Sequence, residues 1–228
     1  MRAFALAAVL AGCASAGQDA PVDGKVEIDA RMIDAGPTTQ TLSQTTSPTI
    51  KPQGSIACAV NTDNTTRANS YYRVFDLAAA GITTAFTVTK VSFQIEHCTP
   101  GATVAVRVGT YTGATGGTLD MAAMTILASN NTVAVPQVVE APGPPPTTPG
   151  GTVDAPLSAT IPAGSKLLVE VDAPDGNGVY SFFMGANDGG ESQPAYIKAA
   201  DCSVTAPTNI STAAGKTVNL LLTVTGQY

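Results

Sequence analysis

From about residue 55 to the C-terminus, short runs of alternating apolar and polar residues are separated by clusters of Gly, Pro, Asn and Asp. Val104, Val106 and Val108 alternate with Ala105 and Arg107. Leu167, Val169 and Val171 alternate with Leu168, Glu170 and Asp172, and Val218, Leu220, Leu222 and Val224 with Asn219, Thr223 and Thr225. Successive side chains of a strand point to opposite faces, so a period of two predicts strands with one face in a core and one in water. Residues 71–77 predict another strand. In residues 86–95 the period holds twice but changes phase: Phe86 and Val88 share one phase, and Val91, Phe93 and Ile95 the other. That slip of one residue predicts a bulge or bend near Thr89-Lys90. About ten such runs, with no long amphipathic helix among them, predict an all-β chain. The expected architecture is a single antiparallel β-sandwich, jelly-roll-like, over residues 55–228.

The connections carry their own signals. Residues 172–178 include Asp175-Gly176 and Asn177-Gly178 between two strand patterns, which predicts a hairpin. Residues 142–151 hold five prolines (Pro142, Pro144, Pro145, Pro146 and Pro149) and read as a stiff polyproline-like loop. This loop could divide two domains, but the halves on either side would each make a thin sandwich, which favours one domain. Residues 14–54 differ from all this. Asp-Ala units give way to a Thr-, Ser- and Pro-rich stretch with too little apolar surface to offset chain entropy. Residues 13–54 are therefore expected to be a disordered tether, about 35 Å long as a coil; the alternative is that part of it folds back onto the domain.

At the N-terminus, Arg2 is followed by an uncharged apolar stretch from Ala3 to Gly12. That is the layout of a secretory signal, and it is far too short to span a bilayer. Leu10-Ala11-Gly12-Cys13 resembles the lipobox of bacterial lipoproteins. The resemblance implies that residues 1–12 are removed and that Cys13 is lipidated, so that the membrane is a partner through this lipid. Ala14, where Asp would retain a lipoprotein at the inner membrane, points to the outer membrane. Ordinary cleavage after Ala14-Ser15-Ala16 is the competing reading.

Composition narrows the function. The chain has 17 acidic and 11 basic residues, a net charge of −6, and only 12% charged residues. It has no basic cluster, so nucleic acid is not an expected partner. With Cys13 assigned to lipid, Cys58, Cys98 and Cys202 remain, which allows one disulfide in any of three pairings. The absence of C-x-x-C argues against a zinc ribbon or a thioredoxin-type site.

Residues 69–77 (NSYYRVFDL), 91–96 (VSFQIE), 162–171 (PAGSKLLVEV), 182–187 (FFMGAN), 194–199 (PAYIKA) and Asp201-Cys202 together resemble an uncharacterised β-sandwich module of bacterial secreted proteins. The resemblance spans about residues 55–228. It implies a Cys58–Cys202 bridge with Cys98 free, and it carries no assigned chemistry.

Candidate chemistry is sparse. His97 is the only histidine, and no G-x-S-x-G elbow accompanies it. His97 and Cys98 should face opposite sides of a strand. Glu170 and Asp172 share a strand face, similar to the Glu-x-Asp of laminarinase-like jelly-roll glycosidases. Pro174, however, stands where those enzymes continue with a second Glu, and the chain has no Trp to line a sugar cleft. Both carboxylates are better read as a wet strand face. Asp172, Asp175 and Asn177 in one loop, and Asn187, Asp188 and Glu191 in another, are hard oxygen ligands of the kind Ca²⁺ takes, without the EF-hand order. Asp and Asn also occur in turns for backbone reasons alone. Arg73 and Asp76 interrupt an apolar run and are expected to form an ion pair that sets strand register. Residues 214–217 (AGKT) lack the earlier glycine of a phosphate-binding loop.

The expected function is a lipid-anchored envelope protein displaying a non-catalytic sandwich for binding or adhesion, with a surface protein or glycan as ligand. No cofactor is expected beyond calcium. The alternatives are a structural envelope component that packs with its own copies and, more weakly, a glycoside hydrolase.

Overall fold

A computed structural model describes residues 36–60, 62–138 and 150–228. Lipidation at Cys13, the signal segment and the prolines of residues 142–149 lie outside the described residues. Pro37–Tyr228 form one compact unit.

The described residues are nearly all β. In chain order the strands are β1 (Thr39–Ser43), β2 (Asn69–Asp76), β3 (Phe86–Cys98), β4 (Thr103–Tyr111), β5 (Met124–Ala134), β6 (Gly151–Ile161), β7 (Lys166–Ala173), β8 (Phe182–Met184), β9 (Ala186–Asn187), β10 (Tyr196–Ala199), β11 (Val204–Asn209), β12 (Asn219–Leu220) and β13 (Leu222–Gln227). One five-residue helix, α1 (Ile210–Ala214), is capped by the Asn209 side chain at its start and by left-handed Gly215 at its end. Every pairing is antiparallel. The first sheet runs β1-β13-β3-β6, with β8 also on β3, and the second runs β11-β10-β2-β7-β4-β5. Phe86, Val91, Phe93 and Ile95 of the first sheet share one core with Tyr71, Val106, Val169 and Val171 of the second. Each fully buried side chain of this kind contributes about 1.5–3 kcal/mol. The arrangement is an antiparallel sandwich, as the alternation predicts.

The phase slip in residues 86–95 is a real break in register. Val88 and Lys90 are consecutive partners on β3 in its ladders with both β6 and β13, and Thr89 is left out of each. Phe86, Val88, Val91, Phe93 and Ile95 all reach the interior as a result. The neighbouring strand answers with a glycine, because a Cβ on Gly226 would lie 2.5 Å from Phe86 Cζ.

Two expectations are corrected. The first is the tether, which does not extend to residue 54. Residues 39–43 are strand β1, which pairs with β13 from Thr39↔Gln227 to Ser43↔Thr223. Beyond it, Gln44 donates to the Val74 carbonyl at 2.7 Å, and the Asn187 amide holds the Ser47 and Thr49 carbonyls. The open edge of β13 supplies backbone partners, and Leu42 supplies the one buried apolar side chain, so a polar segment folds without an apolar stripe. The second correction concerns residues 172–178, which are not a hairpin. They carry the chain from β7 in the second sheet to β8 in the first. The crossing is held where Gly176 N–H donates to the Thr66 carbonyl and Tyr180 Oη donates to the Pro174 carbonyl.

Cys58 and Cys202 form a disulfide, and Cys98 is a buried free thiol. The bridge joins residues 144 apart, and closing a loop of that length contributes about 5 kcal/mol in the chain-entropy account.

Candidate functional site

The outward face of the six-stranded sheet is divided in two. Over one half, the connection from β4 to β5 folds back as a cover: Leu119 packs with Tyr72, Val74, Tyr111, Leu168 and Tyr196. This cover is pinned where Leu119 N–H donates to the Pro207 carbonyl and Gly116 N–H donates to Tyr196 Oη, both at 2.8 Å. The other half carries a polar network.

Register places the network. Tyr196, Tyr72, Glu170, Arg107 and Ser129 form one row across β10, β2, β7, β4 and β5. Lys198, Ser70, Asp172 and Ala105 form the next. Arg107 Nη1 donates to Glu170 Oε2 and to Asp172 Oδ2, both at 3.0 Å. Tyr72 Oη donates to Glu170 Oε1 and Ser70 Oγ to Asp172 Oδ1, both at 2.8 Å. All four carboxylate oxygens therefore have donors. Burial works against the Arg107 charge, but the two carboxylates outweigh it and raise its pKa. Burial, reinforced by Glu170, raises the Tyr72 phenol. Arg107 remains 28% exposed, and only Nη1 of its three nitrogens is used among the described residues. Chemically, this is a guanidinium held rigid from behind with a free donor edge toward solvent.

The structure takes the calcium candidates apart. Among the described residues no three His, Cys, Asp or Glu side chains gather in a way that could hold a metal ion. Asp172 belongs to the network above. Asp175 caps Asn177 N–H and lies 3.7 Å from Arg67. Asp188 is paired with Lys51, which holds its pKa low. Glu191 pairs with Arg73 at 2.8 Å. Each of these acids meets a cation of the chain instead of converging on a common point.

The Arg73–Asp76 pair is also corrected. Arg73 faces inward and is fully buried; it donates to Glu191, the Gln193 carbonyl and the Leu220 carbonyl at 2.7–2.8 Å. Asp76 is exposed and caps Ala79 N–H. Three residues along β2 put the two side chains on opposite faces, which an ion pair between them cannot bridge. Burial lowers the Arg73 pKa and raises that of Glu191, each against the attraction of the other.

His97 Nε2 lies 2.9 Å from Ser181 Oγ, and Ser181 is 2% exposed. Cys98 points the other way, into the core, where burial pushes its thiol up to about 11. The opposite facing of His97 and Cys98 is as the strand period predicts.

No protein-family profile and no curated protein sequence matches this chain. Among solved structures, it is similar to the cysteine protease and lectin-like domains of Cwp84, a surface layer associated protein of Clostridium difficile. The identity is 16% and the TM-score 0.47, over 71% of this chain and 32% of that one. It is also similar to the clostridial cysteine protease Cwp84 after propeptide cleavage, at 15% identity and TM-score 0.49, over 83% of this chain and 40% of that one. This chain thus spans less than half of either structure. At this level of likeness nothing of those proteins carries over to it.

Proposed function

We propose that this chain is a lipid-anchored protein of the bacterial outer membrane whose sandwich is a non-catalytic binding module, with Arg107 at the centre of its ligand face. The Leu10-Ala11-Gly12-Cys13 lipobox supports the anchor. The Arg107 network carries the binding reading: a partly exposed cation, clamped by Glu170 and Asp172, presents uncommitted donors on the outward sheet face. Hydroxyl-rich ligands offer acceptors for such donors, so a surface glycan is the first class to test. Glu170 and Asp172 act as positioning groups here, since donors already occupy both oxygens of each.

The experiment is a glycan array read with the wild-type chain and with Arg107→Ala. Hits that vanish in the variant support the reading, and an empty array defeats it. The anchor is tested by labelled palmitate, which should appear on the wild type and not on Cys13→Ser.

A second reading, homotypic packing in the envelope, is favoured by β5. This strand ends its sheet, and Ile126 and Leu127 on it are 43% and 46% exposed. An open strand edge with apolar side chains is a ready surface for another chain. Stable oligomers by sedimentation, with no glycan hits, would favour this reading over the first.

A further inference from the structure

A second break in register lies on β3, at Glu96. Ile95 pairs with Met184 and His97 with Phe183, so two steps along β3 answer one step along β8, and Glu96 is the extra residue. A bulge of this kind re-aims side chains. Here Glu96 and His97, adjacent in sequence, line the same depression of about 280 Å³, with Gln53, Ser55 and Phe183 as its other walls.

Glu96 is 4% exposed. Ser55 N–H donates to its Oε2 at 2.7 Å, and no donor among the described residues meets Oε1. No Lys, Arg or His of the described residues pairs with it. The carboxylates that do have cation partners are 12–55% exposed, so the most buried of these acids is the one without a cation. One oxygen of Glu96 is thus held by a backbone donor, while the other has no donor and still reaches solvent, which leaves it room for a cationic donor. The rest of the depression is built and held. The His97 ring is fixed by Ser181 and stands edge-on to Phe183 at 6.0 Å between centroids. Gln53 adopts φ 58°, a strained value for a residue with a side chain, and its carbonyl accepts from Lys216 Nζ at 3.1 Å. Gly54 closes the turn beneath it, and a Cβ there would lie 2.7 Å from the Lys51 carbonyl oxygen.

We propose that this depression is a binding site for a small organic ammonium ion. The ammonium donates to Glu96, supplying the missing cation, and its alkyl part lies against Phe183, where the ring face also attracts positive charge. The net charge of −6 draws cations toward the chain. The site is separate from the Arg107 face, so either can fail without the other.

Because His97 is the only histidine, its ring protons give a single pair of NMR signals at the wall of the site. The full chain is titrated with n-butylammonium chloride, with sodium chloride at equal ionic strength, and with 1-butanol. The expected result is a saturable His97 shift with butylammonium alone, weakened at least about tenfold in Glu96→Gln. No shift, an equal shift with butanol or sodium, or an unchanged titration in the variant overturns the proposal. If Glu96→Gln does not fold, the comparison of butylammonium with butanol on the wild type decides alone.

Discussion

Arg73 and Arg107 stand on opposite faces of one sheet and do opposite things with the same side chain. Arg73, inside, ties Glu191, Gln193 and Leu220 to β2, and its Nε is buried with no acceptor. Arg107, outside, leans on Glu170 and Asp172 of a neighbouring strand and keeps its remaining donors toward water. The lesson is about solvent. A guanidinium in the interior must find partners from several segments, which makes it a tie between them. At the surface two partners are enough, and water satisfies the rest until a ligand displaces it.

The disulfide gives the scale for breaking this contrast. Cys202→Ser should cost about 2–5 kcal/mol in chemical denaturation under oxidising conditions. Arg73→Ala should cost nearly as much, about 3–5 kcal/mol, because removing a fully buried guanidinium leaves a cavity and strips Glu191 and the Gln193 and Leu220 carbonyls of their donor. A loss below about 1 kcal/mol would show that the interior arginine is not a tie.

High pH probes the same interior more gently. The Cys98 thiol is raised from 9.0 to about 11 by burial, so the folded chain holds this proton after the unfolded chain has released it. Its contribution is full below pH 9 and is lost as pH rises toward and through 11, and the raised Tyr71 and Tyr72 phenols act in the same direction. Thiol labelling should accordingly track alkaline unfolding and be slow before it. Arg107→Ala should cost no more than about 1 kcal/mol in stability while removing glycan binding; a large stability loss without a binding loss would reverse the roles of the two arginines. The smallest effect belongs to Asp154 on β6, whose pKa Ser92 and Lys90 hold low. Its contribution is present above the ordinary carboxylate value and fades as pH falls through the lowered one, so Asp154→Asn should slightly flatten the acid limb of a pH–stability curve.

The two bulges on β3 show how far the residue pattern reaches. Around Thr89, apolar residues on both sides mark the change of phase, so the slip can be read directly. Around Glu96 the residues after Ile95 are charged, aromatic and sulfur-bearing, and no apolar series resumes to reveal a shift. The same gap hid β1 and β5. Leu42 is the one core residue of β1, and β5 is almost wholly exposed, so neither has a face to alternate. The placement of Glu170 and Asp172 on one strand face followed from their spacing. Their partner Arg107, more than sixty residues earlier, did not.

What the residues determined alone is local: which runs are strands, which side of each faces the core, where one ladder slips, and that the fold is all-β. These follow from a period of two and from burial, which act between near neighbours. Tertiary structure decided which cation each acid meets, which strand takes residues 39–43, and that a buried glutamate lines a depression beside the only histidine. Such pairings join segments far apart in the chain, and they are chosen by which partners the packed sheets bring within hydrogen-bond reach.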